Sequence, residues 1–208
     1  TGVTSAEERR ASLAAWAMRP RMAARRSSAC IAWAISTAMR RRHPIPTLWL
    51  MTDERMGEGL WRAVARLPRG AGVVFRHHKT PLAERRRLFA RLRRIAGPRN
   101  LVLVRAGTAV MRGEMGVHGA RAGGIVTWPV HDAREAAAAR RAGADVAFVS
   151  PVFATRSHPG APSLGARRAA ALAGNLPMVR IALAGMDRRA FRRLHGFHGW
   201  AAIDAWLD

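Results

Sequence analysis

Residues 125–153 read IVTWPVHDAREAAAARRAGADVAFVSPVF, and their order decides the fold. Two short apolar runs, Ile125–Val130 and Val146–Phe153, flank an alanine-rich stretch. Asp132 is a good N-cap for that stretch, Glu135 falls at its third helical position, and Gly143 ends it. Short strands that are apolar throughout, joined by a helix, belong to a parallel sheet covered on both faces.

The same rhythm extends outward in both directions. Toward the N-terminus the predicted strands are Thr47–Met51, Gly72–Arg76, Leu101–Val104 and Met115–His118. Helices are predicted at Gly59–Leu67 and Pro81–Ile95. The second has its apolar positions at Leu82, Leu88, Leu92 and Ile95, and Gly97-Pro98 stops it. Toward the C-terminus come strands at Met178–Leu183 and Trp200–Ala205, with helices at Ala166–Ala173 and Arg188–Leu194. Eight strand units predict an α/β fold of the TIM (β/α)8 barrel type, lean at about 160 residues against a usual ~250. Strands four and five are joined only by Gly119–Gly124, too short for a helix, and no closing helix follows strand eight. An open doubly wound sheet is the alternative on pattern alone. Its glycine-rich phosphate turn is absent after strand one, which leads into TDERMGEG.

Composition sets the other bounds. The chain has 208 residues, 49% of them apolar, enough for one domain with a substantial core. Thirty-six basic against thirteen acidic residues give a net charge of +23, with Lys79 the single lysine. That balance attracts polyanions or phosphorylated small molecules. The arginines are spread along the whole chain with no long uninterrupted basic run, which favours codon usage and solvated helix faces as their origin. One cysteine, Cys30, excludes an intramolecular disulfide framework and a cysteine-based zinc site, and fits a reducing cytoplasm. No apolar run is long enough to span a bilayer. Residues 1–44 carry nine arginines and two glutamates and differ in texture from the rest. Three readings of them stay open: an amphipathic extension, a targeting segment, or a translated upstream region that is not native, with the protein starting at Met39.

Strands five and six carry a specific order: Val130-His131-Asp132, Ala142-Gly143-Ala144-Asp145, then Ser150-Pro151-Val152-Phe153-Ala154-Thr155-Arg156-Ser157-His158. This resembles the thiamine phosphate synthase/TenI superfamily. That family has a Ser/Thr–His segment on strand five, a GAD after the next helix, and a G-P-[IV]-[FY]-x-T-x-[ST]-K loop after strand six. LWLMTD at Leu48–Asp53, Phe75-Arg76, GVHG at Gly116–Gly119 and IALAGM at Ile181–Met186 are similar to further family segments. The resemblance covers roughly residues 47–206. It implies a site at the C-terminal ends of the strands and phosphorylated substrates. The reaction implied is the joining of hydroxymethylpyrimidine diphosphate to thiazole phosphate with loss of pyrophosphate and with magnesium. The sister branch instead moves a proton on a carboxythiazole phosphate.

Carried over residue by residue, Arg76 matches the arginine that faces the diphosphate, where a guanidinium grips two oxygens at once. The next family lysine falls on His78, with Lys79 one step on. Thr155 and Ser157 match loop hydroxyls, His158 replaces the loop lysine, and Gly185 keeps one glycine of the phosphate turn. His131 matches the histidine that transfers a proton in the sister branch. Other positions depart. The Asn-Asp pair after strand three falls near Val104-Arg105-Ala106, the second magnesium aspartate falls within Ala120–Gly123, and a strand-five serine falls on Pro129. Magnesium is thus expected from the family while its ligands are missing. Arg105 is read as a fixed positive charge in the mouth, or else as half of a structural salt bridge. His77-His78 with His118 raises zinc, but neighbours on a strand point to opposite faces.

The function expected is a synthase-like enzyme of thiamine synthesis in the cytoplasm. The alternatives are a tautomerase-like or non-catalytic phosphate-binding relative and, more remotely, a polyanion-binding protein. No membrane partner is expected, nucleic acid ranks last because no stacking aromatics alternate with basic residues, and a homo-oligomer stays open.

Overall fold

A computed structural model describes residues 44–155, 160 and 162–207. The expectations for residues 1–43, with Cys30 and the start at Met39, and for Ser157 and His158 lie outside the described residues.

Eight parallel strands close into a barrel in sequence order: β1 Leu48–Met51, β2 Gly72–Phe75, β3 Val102–Ala106, β4 Gly116–His118, β5 Ile125–Val130, β6 Val146–Val149, β7 Val179–Leu183 and β8 Gly199–Ala202. The seam is β1 against β8, with Trp49 level with Ala201. Helices are α1 Gly59–Arg66, α2 Leu82–Ala96, α3 Ala133–Ala142, α4 Gly165–Gly174 and α5 Arg188–Phe191. The α/β barrel expected from the alternation of strands and helices is the fold observed.

Alternation along each strand sorts the core into layers. Trp49, Met51, Val74, Val104, Ile125, Phe148, Ile181 and Ala201 fill the barrel interior. Their neighbours in sequence point outward. Leu50, Val73, Phe75 and Leu103 meet α1 and α2, and Val130, Ala147, Val149 and Ala182 meet the helices of the other half. Trp49 is the largest interior side chain, and Gly72 beside it on β2 makes its room: a Cβ there would lie 2.2 Å from the indole.

Two connections lack helices. One is the expected Gly119–Gly124 between β4 and β5, and the other is residues 107–115 between β3 and β4. The sequence pattern places no helix in either, and singles out the first as too short for one. Parallel neighbours ordinarily need a dozen or more residues to cross over. Here shortness is reached with β4 reduced to three residues. After β8 a single 3₁₀ turn, Asp204–Trp206, takes the place of a closing helix, and its Trp206 ring stacks on Trp200 at 5.0 Å.

On α2 the buried face differs from the expected one. Arg85, Phe89, Leu92 and Ala96 face inward at i, i+4, i+7 and i+11, whereas Leu82 is 44% exposed and Leu88 and Ile95 are half-buried. Counting leucines misses that an arginine occupies the stripe. Among the described residues no helix is long and apolar enough to cross a membrane.

Candidate functional site

The strands end together at one rim, where a cavity of about 850 Å³ opens. Phe148, Leu183, Met51 and Met186 supply apolar walls, and Arg76, His78, His118, His131, Ser150, Thr155, Asp187 and Asp204 supply polar groups. This is where barrels of this architecture place chemistry, because inward-pointing residues at strand ends converge there.

Arg76 follows β2, and its side chain is locked to the end of β1. Its backbone N–H donates to Thr52 Oγ1 at 3.0 Å, its Nε to Thr52 O at 2.8 Å and its Nη2 to Asp53 Oδ2 at 3.2 Å. Burial lowers its pKa while Asp53 counteracts. Asp53 also pairs with Arg55 at 2.9 Å. Burial alone would raise the Asp53 pKa, but the hydrogen bonds from Arg55 and the charges of Arg55 and Arg76 hold it below the usual carboxylate range. His77, with φ 35°, turns away from the mouth, stacks on Phe75 at 4.6 Å and shares a 2.9 Å bond with Thr52 Oγ1. That reversal returns His78 to the cavity, and burial followed by the charges of Arg85 and Arg76 lowers the pKa of its imidazole.

His118 stands at the end of β4, its Nδ1 2.9 Å from Thr127 Oγ1 and its ring edge-on to Phe148. Burial, reinforced by the positive charges of Arg76 and neighbouring histidines, lowers its pKa to about 4. It is therefore a neutral imidazole at pH 7. His131, just past β5, is held by Glu135: one carboxylate oxygen accepts from the His131 backbone N–H at 2.6 Å and meets its Nδ1 at 2.6 Å. Asp132 caps α3 through Glu135 N at 2.8 Å. Glu135 is legible in the sequence as a capping residue. Its bond to the His131 ring, four residues back across the cap, is not.

On the opposite rim, Ala184 and Gly185 both have positive φ, 77° and 63°. A Cβ on residue 185 would come within 2.6 Å of Ala154 O, so only glycine lets this turn lie against the β6 loop. Asp187 caps α5 by accepting from Ala190 N at 2.6 Å.

The structure thus brings Arg76, His78, His131, Thr155 and Gly185 to one cavity. Lys79 is exposed outside its lining, and its backbone N–H donates to Glu54 at 2.7 Å. Arg105 is turned outward with Leu103 and pairs with Glu114 at 2.7 Å. The residue missed by sequence reasoning is Arg85. It sits buried behind the β2 and β3 ends, its Nη2 donating to Arg76 O at 3.0 Å and to Ala106 O. An arginine on the core-facing stripe of α2 is the available signal.

Magnesium finds no fitting donor set in the expected places. β3 ends on Arg105-Ala106 with Gly107 after it, and Gly119-Ala120 follows β4. Of the carboxylates near these places, Asp53 and Glu114 are engaged by guanidinium groups, while Asp187, which caps α5, and Asp204 line the cavity on the β7 and β8 side. Among the described residues, no three of His, Cys, Asp and Glu gather as a metal site.

Comparison with known proteins bears on this geometry. The family model for thiamine monophosphate synthase matches residues 106–206. No curated protein matches the chain by sequence. Among solved structures, thiamine phosphate pyrophosphorylase from Pyrococcus furiosus is similar at 19% identity and a TM-score of 0.66, over 77% of this chain and 87% of that one. A cube-shaped, highly porous designed protein cage, made by fusing symmetric oligomeric domains, is similar at 13% identity and a TM-score of 0.54, over 78% of this chain and 64% of that one. These two likenesses concern the fold. The family model runs from the end of β3 to the turn after β8, so just under half of the chain is similar in sequence to thiamine monophosphate synthases.

Proposed function

We propose that the barrel works in the cytoplasm on phosphorylated intermediates of thiamine synthesis, as a synthase-like transferase. In that reaction a C–N bond forms between the pyrimidine methylene and the thiazole nitrogen as the C–O bond to the diphosphate breaks, and pyrophosphate leaves with the electron pair. The observation that carries this reading is Arg76, held at the mouth and facing an apolar slot walled by Phe148 and Leu183. A guanidinium in fixed geometry stabilises the charge that develops on a departing diphosphate. The slot suits a flat ring, and the neutral His118 adds a polar edge without adding charge. The Ala184-Gly185 turn is the candidate for the second phosphate. None of these steps needs a metal held by the protein.

A second reading rests on the His131–Glu135 pair. A carboxylate on Nδ1 directs the other ring nitrogen for proton transfer, which suits tautomerisation of a carboxythiazole phosphate. A product assay on the full chain separates the two. Supplied with pyrimidine diphosphate and thiazole phosphate, the wild type is expected to form thiamine phosphate, and Arg76→Met to lose at least about a hundredfold in kcat/KM, on the scale of one lost charge-stabilising donor. Solvent deuterium entering the carboxythiazole phosphate without condensation, and lost in His131→Ala, would select the tautomerase. Absence of both products would leave a binding protein.

A further inference from the structure

Three nitrogens converge on Gly107, directly after β3. A Cβ placed on this glycine would lie 3.4 Å from both Nη1 and Nη2 of Arg85 and 3.7 Å from Nδ1 of His78. The residue has φ 82°, so a side chain is disfavoured there on conformational grounds as well. Arg85 is 6% exposed, its Nε has no hydrogen-bond partner, and no carboxylate pairs with it among the described residues. Its position is fixed by the carbonyls of Arg76 and Ala106 and by the Phe75 ring, 5.5 Å from its Cζ. A buried cation held by dipoles alone, beside a second nitrogen donor, is a standing demand for an anion.

We infer that the space over Gly107 is an anion niche in which Arg85 and His78 take a diphosphate oxygen directly, where the family resemblance places carboxylates for magnesium. The polarity of the site is thereby reversed. A carboxylate attracts phosphate only through an intervening cation, whereas a guanidinium binds it in one step and cannot lose its charge near neutrality. Arg76, on the cavity side at the end of the neighbouring strand β2, extends the cationic surface toward the slot. The identity of the molecule that carries the diphosphate rests on the function proposed above; the charge of the niche does not.

Calorimetric titration of the full chain with inorganic pyrophosphate, in EDTA and again with excess magnesium, tests this. Binding in EDTA is expected to be at least as tight as with magnesium. Arg85→Met should weaken it at least about tenfold, and His78→Ala several-fold, as loss of a charged and a neutral donor predicts. Should Arg85→Met fail to fold, Gly107→Ala carries the test, since its methyl enters the niche and must also weaken binding. Binding that appears only with magnesium, or that is unchanged in a folded niche variant, overturns the inference. Magnesium-dependent pyrophosphate binding together with thiamine phosphate formation would sink the niche and leave the proposed function standing. Magnesium-free binding with no product would do the reverse.

Discussion

His118 shows how one partly buried residue couples the site to stability. Its pKa is about 4 in the folded protein against 6.5 for an ordinary histidine, so the unfolded chain takes up a proton first as the pH falls. Its contribution is fully present above pH 6.5 and is lost progressively toward pH 4, by about 3 kcal/mol at full extent. His77 and His78, both with lowered pKa, act in the same direction. Urea midpoints measured between about pH 7 and 4.5 should fall, and His118→Gln should flatten the fall. An equally steep profile in the variant would place the acid sensitivity elsewhere. At this scale the sequence is readable where a motif keeps its residue type, as with Arg76 and His131. It is silent where a distant side chain completes the environment. Nothing near residue 107 in sequence announces that Arg85, on the preceding helix, aims its guanidinium there. Glu135 reads as the third residue of a capping box begun by Asp132, and that its carboxylate takes the His131 backbone N–H and ring needs the third dimension.

Among the elements, β1 and β2 are matched by size exchange rather than by like packing like. Trp49, fully buried and anchored by its Nε1 to Pro46 O at 2.8 Å, occupies the volume a side chain at Gly72 would need. Gly72→Ala is therefore expected to cost about 3 kcal/mol or more, since overpacking against a fixed ring leaves little room to relax. Trp49→Leu alone should also destabilise by leaving a cavity. The double variant should be less impaired than the sum, with a coupling above about 1 kcal/mol in a denaturation cycle. Strict additivity would mean that the two positions do not compete for one space. Strand positions are legible because buried parallel strands are apolar on both faces, and most ends agree within one or two residues. The ends of β6 and β8 read too long because the apolar run continues into the loops that wall the cavity. The face of α2 is misjudged for a related reason: hydrophobicity locates a core, and a buried guanidinium is invisible to it.

Over the whole molecule, charge is the dominant quantity. A chain of 208 residues carrying +23 repels itself at low ionic strength. Among the described residues the exposed arginines of α2, Arg86, Arg87, Arg91, Arg93 and Arg94, make no salt bridge, and Arg91 lies over the Trp61 ring at 3.9 Å. Melting temperature should rise by several degrees from low to physiological ionic strength, where charges more than about 8 Å apart are screened. A melting temperature indifferent to salt would show the arginines too far apart to matter. The barrel closes despite this repulsion because the buried residues of its interior cluster are apolar side chains of the strands, out of reach of the surface field.

The two connections without helices have a consequence for how the barrel comes apart. β4 is a stave of three residues with no helix leading into it and none leading out. It is the shortest of the eight strands and no helix packs over it from an adjoining connection, so sub-global opening there is expected to be cheaper than global unfolding. His118 and the Gly107 loop lie at the edges of that opening. The rim can thus breathe while the β6–β7 wall stays shut, and the lifetime of the site is set by its thinnest stave rather than by the barrel as a whole.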